Sequence, residues 1–168
     1  MSFQPDPDGL ERLWTPYRMS YVRGEEPEPG CPFCRIAKPD SDDELLVARG
    51  EQVYAVLNRY PYNPGHLMVI PYRHEADLVN LTDDESDELM AMTRKAVDVI
   101  RSVSSPDAFN VGLNLGSVAG GSLSGHLHQH VVPRWEGDAN FMTVTSGVKV
   151  LPQLLKETAE LLGNSWRN

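Results

Sequence analysis

The sequence contains no apolar run approaching the roughly 18 residues that a membrane-spanning helix requires, so no membrane partner is expected. Its opening stretch, MSFQPDPDGLERLW, lacks the charged-then-apolar plan of a signal peptide, and the expected location is the cytoplasm. Basic charge is also short. With 15 Lys and Arg against 24 Asp and Glu the net charge is −9, which speaks against nucleic acid and anionic lipid as partners, because both need a basic surface. Cysteine is scarcer still. Cys31 and Cys34 cannot build a disulfide framework in 168 residues, and their CPFC spacing points to metal or redox chemistry. Neither repeats nor low-complexity tracts occur.

What remains is an ordinary globular composition, 40% hydrophobic, enough for one domain with a real core. Residues 1–30 read as an N-terminal extension and linker: a Pro/Asp-rich start, a helical stretch broken by Pro16, then the polar RGEEPEPG. Residues 31–168 read as a single domain. LLVARGEQVYAVLNRYP predicts two strands joined at Arg49-Gly50-Glu51, and GHLMVIPYR a third. Thr82 with Glu85 forms a capping-box pattern ahead of a long helix whose Leu89, Met92, Ala96, Val99 and Ile100 make one stripe. FNVGLNLG alternates, a Gly/Ser-rich loop follows, and KVLPQLLKETAELLGNSW predicts a C-terminal amphipathic helix. The fold class expected is α+β, with a mainly antiparallel sheet, one long helix and a C-terminal helix.

Histidine is concentrated: all five lie within 66–74 and 126–130. In GHLHQHVVPRW, His126, His128 and His130 recur at every second position, and neighbouring valines favour a strand. A strand rises about 3.3 Å per residue and alternates its faces, so the three rings would line one side about 7 Å apart. They could be ligands of a metal, since neutral imidazole binds zinc well. They could equally be a nucleophile with its helpers, since imidazole attacks phosphorus and forms a labile phosphoramidate. The preceding NLGSVAGGSLSGH offers backbone N–H groups and hydroxyls to an anion, and phosphoryl chemistry needs such donors beside a nucleophile.

HLHQHVVPRW resembles the histidine triad motif of the HIT superfamily of nucleotide hydrolases and transferases. AVLNRYPYNPGHLMVIPYRH is similar to that family's strand-turn-strand segment, and GLNLGSVAGG resembles its phosphate loop. The flanks LERLWTPYRMSYV, VVPRWEGDANFM and LPQLLKET further resemble the branch that includes bacterial diadenosine tetraphosphate phosphorylases. The resemblance implies a HIT-like fold for 31–168 and a small-molecule nucleotide as partner. It makes His128 the nucleophile, its other ring nitrogen donating to a backbone carbonyl, and His130 a contact to phosphate or leaving group. It places Asn58 on the ribose, Asn114, Gly121 and Ser122 in the phosphate loop, and Trp135 beside the nucleotide. Ser122 stands where hydrolase members commonly carry Gln, which leaves room for phosphate in place of water as acceptor.

By position, the resemblance also implies a structural zinc held by Cys31, Cys34, His74 and His126, a closed tetrahedral set with no open site for water. His66 falls outside both groups and is expected to be a hydrogen-bonded histidine near the sheet. Magnesium could accompany the nucleotide, and Arg134 and Lys149 could supply positive charge. A homodimer or higher homo-oligomer is expected. The activity implied is cleavage of diadenosine polyphosphates through a nucleotidyl-histidine intermediate, with phosphate giving ADP plus ATP. The alternatives are a HIT hydrolase of dinucleoside polyphosphates or nucleoside phosphoramidates, and a nucleotide-binding module without turnover.

Overall fold

The LVAR and VYAVL stretches pair as an antiparallel hairpin, β1 (Leu46–Arg49) and β2 (Val53–Leu57). Its turn is held from outside: the Glu88 carboxylate accepts the backbone N–H groups of Glu51, Gln52 and Val53. The protein is seen in a computed structural model that describes residues 30–119, 123–138 and 153–167. The expectations for residues 1–29, for Gly121, Ser122 and Lys149, and for residues 149–152 of the expected C-terminal helix lie outside the described residues.

Strands β3 (Leu67–Pro71), β4 (Ala108–Leu113) and β5 (Gln129–Arg134) complete a five-stranded antiparallel sheet in the order β1-β2-β3-β5-β4. This is the α+β architecture expected. Every residue of β2 and β3 is buried, because both faces of the sheet are covered there. A short helix α1 (Pro32–Ile36) lies on one side, its Phe33 carbonyl accepting the Tyr54 hydroxyl at 2.8 Å. The long helix α2 (Asp83–Ser104) and the C-terminal α3 (Leu155–Trp166) cover the other.

Helix α2 has the capping box that its sequence predicts: Glu85 N–H donates to the Thr82 hydroxyl while the Glu85 carboxylate accepts the Thr82 N–H. Leu89, Met92, Ala96, Val99 and Ile100 are all buried in the core. The helix stops where Ser105 turns left-handed at φ 45° and Pro106 follows, which cannot continue it. Register fixes what each sheet face carries. Directly paired residues share a side, so Tyr54 with Ile70, Val56 with Met68 and Met68 with His130 face α1, while Gln129 points at α2 and donates to Thr93.

Candidate active site

Strand β5 begins only at Gln129, so His126 and His128 precede it and His130 alone lies within it. The three rings therefore do not converge on one place. His126 is fully buried and turns toward the start of α1, where its Nδ1 is 3.3 Å from Cys31 Sγ and 3.6 Å from Cys34 Sγ. Cys34 Sγ also lies 3.3 Å from His74 Nδ1. The potential ligand atoms of Cys31, Cys34, His74 and His126 all fall within 4.8 Å of one another. On the far side of its ring, His126 Nε2–H donates to the Pro71 carbonyl at 2.9 Å, which leaves Nδ1 as the ligating nitrogen. Two thiols and two imidazoles at such separations fit a four-coordinate site with no vacancy.

The segment bearing His74 is fixed independently. Arg73 donates to both oxygens of Glu85 at 2.9 and 2.7 Å and to the Asn80 carbonyl, so the cap of α2 holds the loop that delivers His74. This pairing, with the Thr82 N–H, lowers the Glu85 carboxyl to about 2.

His128 is 7% exposed and donates its Nδ1–H to the His126 carbonyl at 2.8 Å. Its Nε2 is then the unprotonated nitrogen, a lone pair available to an electrophile. Phe33, the third residue of CPFC, packs against both His126 and His128, with ring centroids at 5.6 and 5.1 Å.

His130 stands at the other edge of the His128 ring, centroids 5.0 Å apart, and its Nδ1 is 2.9 Å from Nε2 of His66. The Tyr62 N–H donates to His66 Nδ1 at 3.1 Å, so that nitrogen must accept and His66 Nε2 must carry the proton. His130 consequently accepts at Nδ1 and bears its proton on Nε2, with the Asn114 amide 3.5 Å away. Burial, reinforced by the neighbouring histidines, lowers His66 to about 3 and His130 to about 4, so both rings are neutral near pH 7. The arrangement offers an imidazole lone pair on one ring and an oriented N–H donor on the next. That combination suits attack at phosphorus with stabilisation of a departing oxygen.

Among the remaining predicted residues, Asn58 is half-buried beside this chain: its Oδ1 accepts the Tyr60 N–H at 2.9 Å and its Nδ2 is 3.5 Å from His66 Nδ1. Trp135 follows β5, and its indole N–H donates to the Ser104 carbonyl at the end of α2. Gly121 and Ser122 lie outside the described residues. His66 is hydrogen-bonded near the sheet as expected, but sequence reasoning missed that its partner is His130. The signal was the register of Met68 against His130, which sets the residues before β3 beside the triad. Sequence reasoning also assigned no role to Phe33, whose ring contacts to His126 and His128 exist only once α1 has folded onto the sheet.

A five-stranded antiparallel sheet covered by helices on both faces and carrying this histidine pair defines a histidine triad protein. The HIT domain pattern matches residues 40–137, and the chain belongs to that family. It is 58% identical to the AP-4-A phosphorylase of Mycobacterium tuberculosis over 95% of this chain and 86% of that protein. Across 50% of this chain and 46% of that protein it is 39% identical to the asymmetrical bis(5'-nucleosyl)-tetraphosphatase of Schizosaccharomyces pombe. Among solved structures, a Zn-bound histidine triad family protein from Mycobacterium smegmatis superposes with a TM-score of 0.67 at 26% identity, covering 82% of this chain and 94% of that one.

Proposed function

We propose that the protein is an enzyme that cleaves diadenosine polyphosphates by nucleotidyl transfer, with inorganic phosphate as acceptor. The observation that carries this reading is the His128–His126 carbonyl bond, which frees Nε2 of a buried, neighbour-locked imidazole. The high identity to an AP-4-A phosphorylase along nearly the whole chain supports the substrate class. His128 Nε2 forms a bond to an α-phosphorus of diadenosine tetraphosphate as the bridging P–O bond breaks and ATP departs. The positive charge then carried by the His128 ring is held by its Nδ1–H bond to the His126 carbonyl. The His130 Nε2–H, oriented through His66, donates to phosphate oxygen as charge develops on the leaving group. Phosphate next attacks the same phosphorus, releases His128 and gives ADP.

Asn58 would hold ribose hydroxyls, Asn114, Gly121 and Ser122 the phosphates, and Trp135 the nucleotide. For Ser122 as a site of phosphate in place of water, the support is the sequence. Zinc on Cys31, Cys34, His74 and His126 would clamp α1 to the sheet, a structural role consistent with the closed donor set. Magnesium enters only as a counter-ion of the nucleotide. Residues 31–168 act as the catalytic domain and 1–30 as an extension. Among the described residues no helix is long and apolar enough to cross a membrane, and a cytoplasmic enzyme is part of the same reading. So is a homodimer: β4 forms a sheet edge and leaves Val111 exposed on it.

The test is product analysis with diadenosine tetraphosphate, with and without phosphate. The expected result is phosphate-accelerated cleavage to ADP and ATP, shifted toward AMP by Ser122→Gln. A rate indifferent to phosphate, with AMP as the partner product, would replace the phosphorylase by a hydrolase.

A further inference from the structure

Beyond His130, on the same face of β5, the sheet dips into an open cleft of about 600 Å³ between β4 and the loop that carries Tyr62 and Asn63. Val132 and Gly112 contribute to its lining, and Asn110, Asn114 and Arg134 supply polar groups. The volume lies in the range of small-ligand sites. Two features define what it would take.

The first is charge. Arg134 is the cation of this lining, and Asp138 neutralises it through contacts at 2.6 and 3.0 Å, while Asn110 Oδ1 accepts from it at 2.9 Å. A guanidinium already matched by a carboxylate has little attraction left for a polyphosphate. What the cleft presents is amide groups, an aromatic ring and an aliphatic floor, the chemistry of a neutral heterocycle with its sugar.

The second is Asn63. It is 2% exposed, and its Nδ2 donates to the Pro133 carbonyl at 2.8 Å and to Asp138 at 2.6 Å. Both partners are acceptors, so the amide cannot be reversed. Its Oδ1 finds no hydrogen-bond partner among the described residues. A buried, unpaired amide oxygen costs about 1–3 kcal/mol, and the residue that carries it is part of the cleft's lining.

We infer that this cleft is the subsite for the second nucleoside of the dinucleotide, the one on the departing side, with Asn63 and the Arg134–Asp138 pair as its specificity-determining residues. This rests on the reading given under Proposed function. Asn58 is not among the cleft's lining residues, so the two nucleosides have separate places, and His130 borders the cleft where the leaving group must pass. Tyr62, 58% exposed and stacked on His66, offers an aromatic face to the base.

The experiment compares kcat/KM for diadenosine tetraphosphate with kcat/KM for adenosine 5'-tetraphosphate, which has the same phosphate chain and no second nucleoside. The wild-type ratio should favour the dinucleotide by about tenfold or more, the value of one or two polar contacts with an aromatic one. Asn63→Ala should bring the ratio toward one. Asn110→Leu, at an exposed position that threatens the fold less, should do the same. General damage to catalysis lowers both substrates together and cancels in the ratio. A wild-type ratio near one, or a ratio unmoved in both variants while both nucleotides are cleaved, would overturn the second-nucleoside subsite and leave the nucleotidyl-transfer reading standing. Turnover of neither nucleotide by the wild type would overturn both.

Discussion

The Phe33 ring lies 5.1 Å from the His128 ring, between the two cysteines of CPFC and the imidazole with the free lone pair. Because Phe33 is also held through its carbonyl by Tyr54, the segment that gathers the Cys/His cluster and the His128 ring share one packed wall. Phe33→Leu should keep the fold and lower kcat by about tenfold with a smaller change in KM, since a small misplacement of a nucleophile acts on the chemical step. Phe33→Ala should also destabilise the protein by about 3–5 kcal/mol, the usual cost of emptying a buried Phe site. Chemical denaturation alongside single-turnover rates separates the two effects. Equal losses in kcat and stability for both variants would reduce Phe33 to core packing.

His128→Ala should abolish turnover and leave nucleotide binding largely intact, because only the bond-forming nitrogen is lost. Capture of labelled nucleotide on the protein after acid-free quenching should vanish with it. Near-normal turnover in this variant would move the nucleophile elsewhere.

Purified protein should contain about one zinc per chain, and the Cys31→Ser, Cys34→Ser double variant should lose more thermal stability than chemical rate. Metal analysis, melting curves and single-turnover kinetics read these out. Activity that tracks metal content at unchanged stability would make the metal catalytic.

The buried histidines give a defined acid response. His66 and His130 titrate at about 3 and about 4 in the folded protein against 6.5 when unfolded, so the unfolded chain binds more protons below pH 6.5. Their contribution to stability is complete above pH 6.5 and is lost as pH falls toward 4 and then 3. Glu85, lowered to about 2 chiefly by Arg73, adds a loss that starts only near pH 4.5. Melting temperatures should therefore decline from pH 6.5 downward and more steeply below 4.5. His66→Phe should flatten the upper part of that decline; an unaltered profile would show that His66 is not buried as a neutral ring.

Much of the fold was legible because it is local. Thr82 and Glu85 announce α2, and the apolar stripe from Leu89 to Ile100 announces the face it buries. The candidate ligands Cys31, Cys34, His74 and His126 were picked out through resemblance, and they do come together in space. The misjudgement was geometric. Even spacing suggested one row of three rings, but β5 starts at Gln129, and the chain before it follows the Pro71 carbonyl and the cysteines in place of the strand ladder.

By itself, then, the sequence determined which elements form and which residues carry chemistry, since capping, periodicity and side-chain type act within a few positions of the chain. Only the tertiary structure decided that His66 sets the tautomer of His130, that Phe33 backs His128, and that Asn63 ties Asp138 to the end of β5. Those contacts span from 64 to 95 residues of chain. They exist because β3 and β5 lie side by side and α1 folds over that face of the sheet, an order of strands and layers that alternation along the chain does not encode.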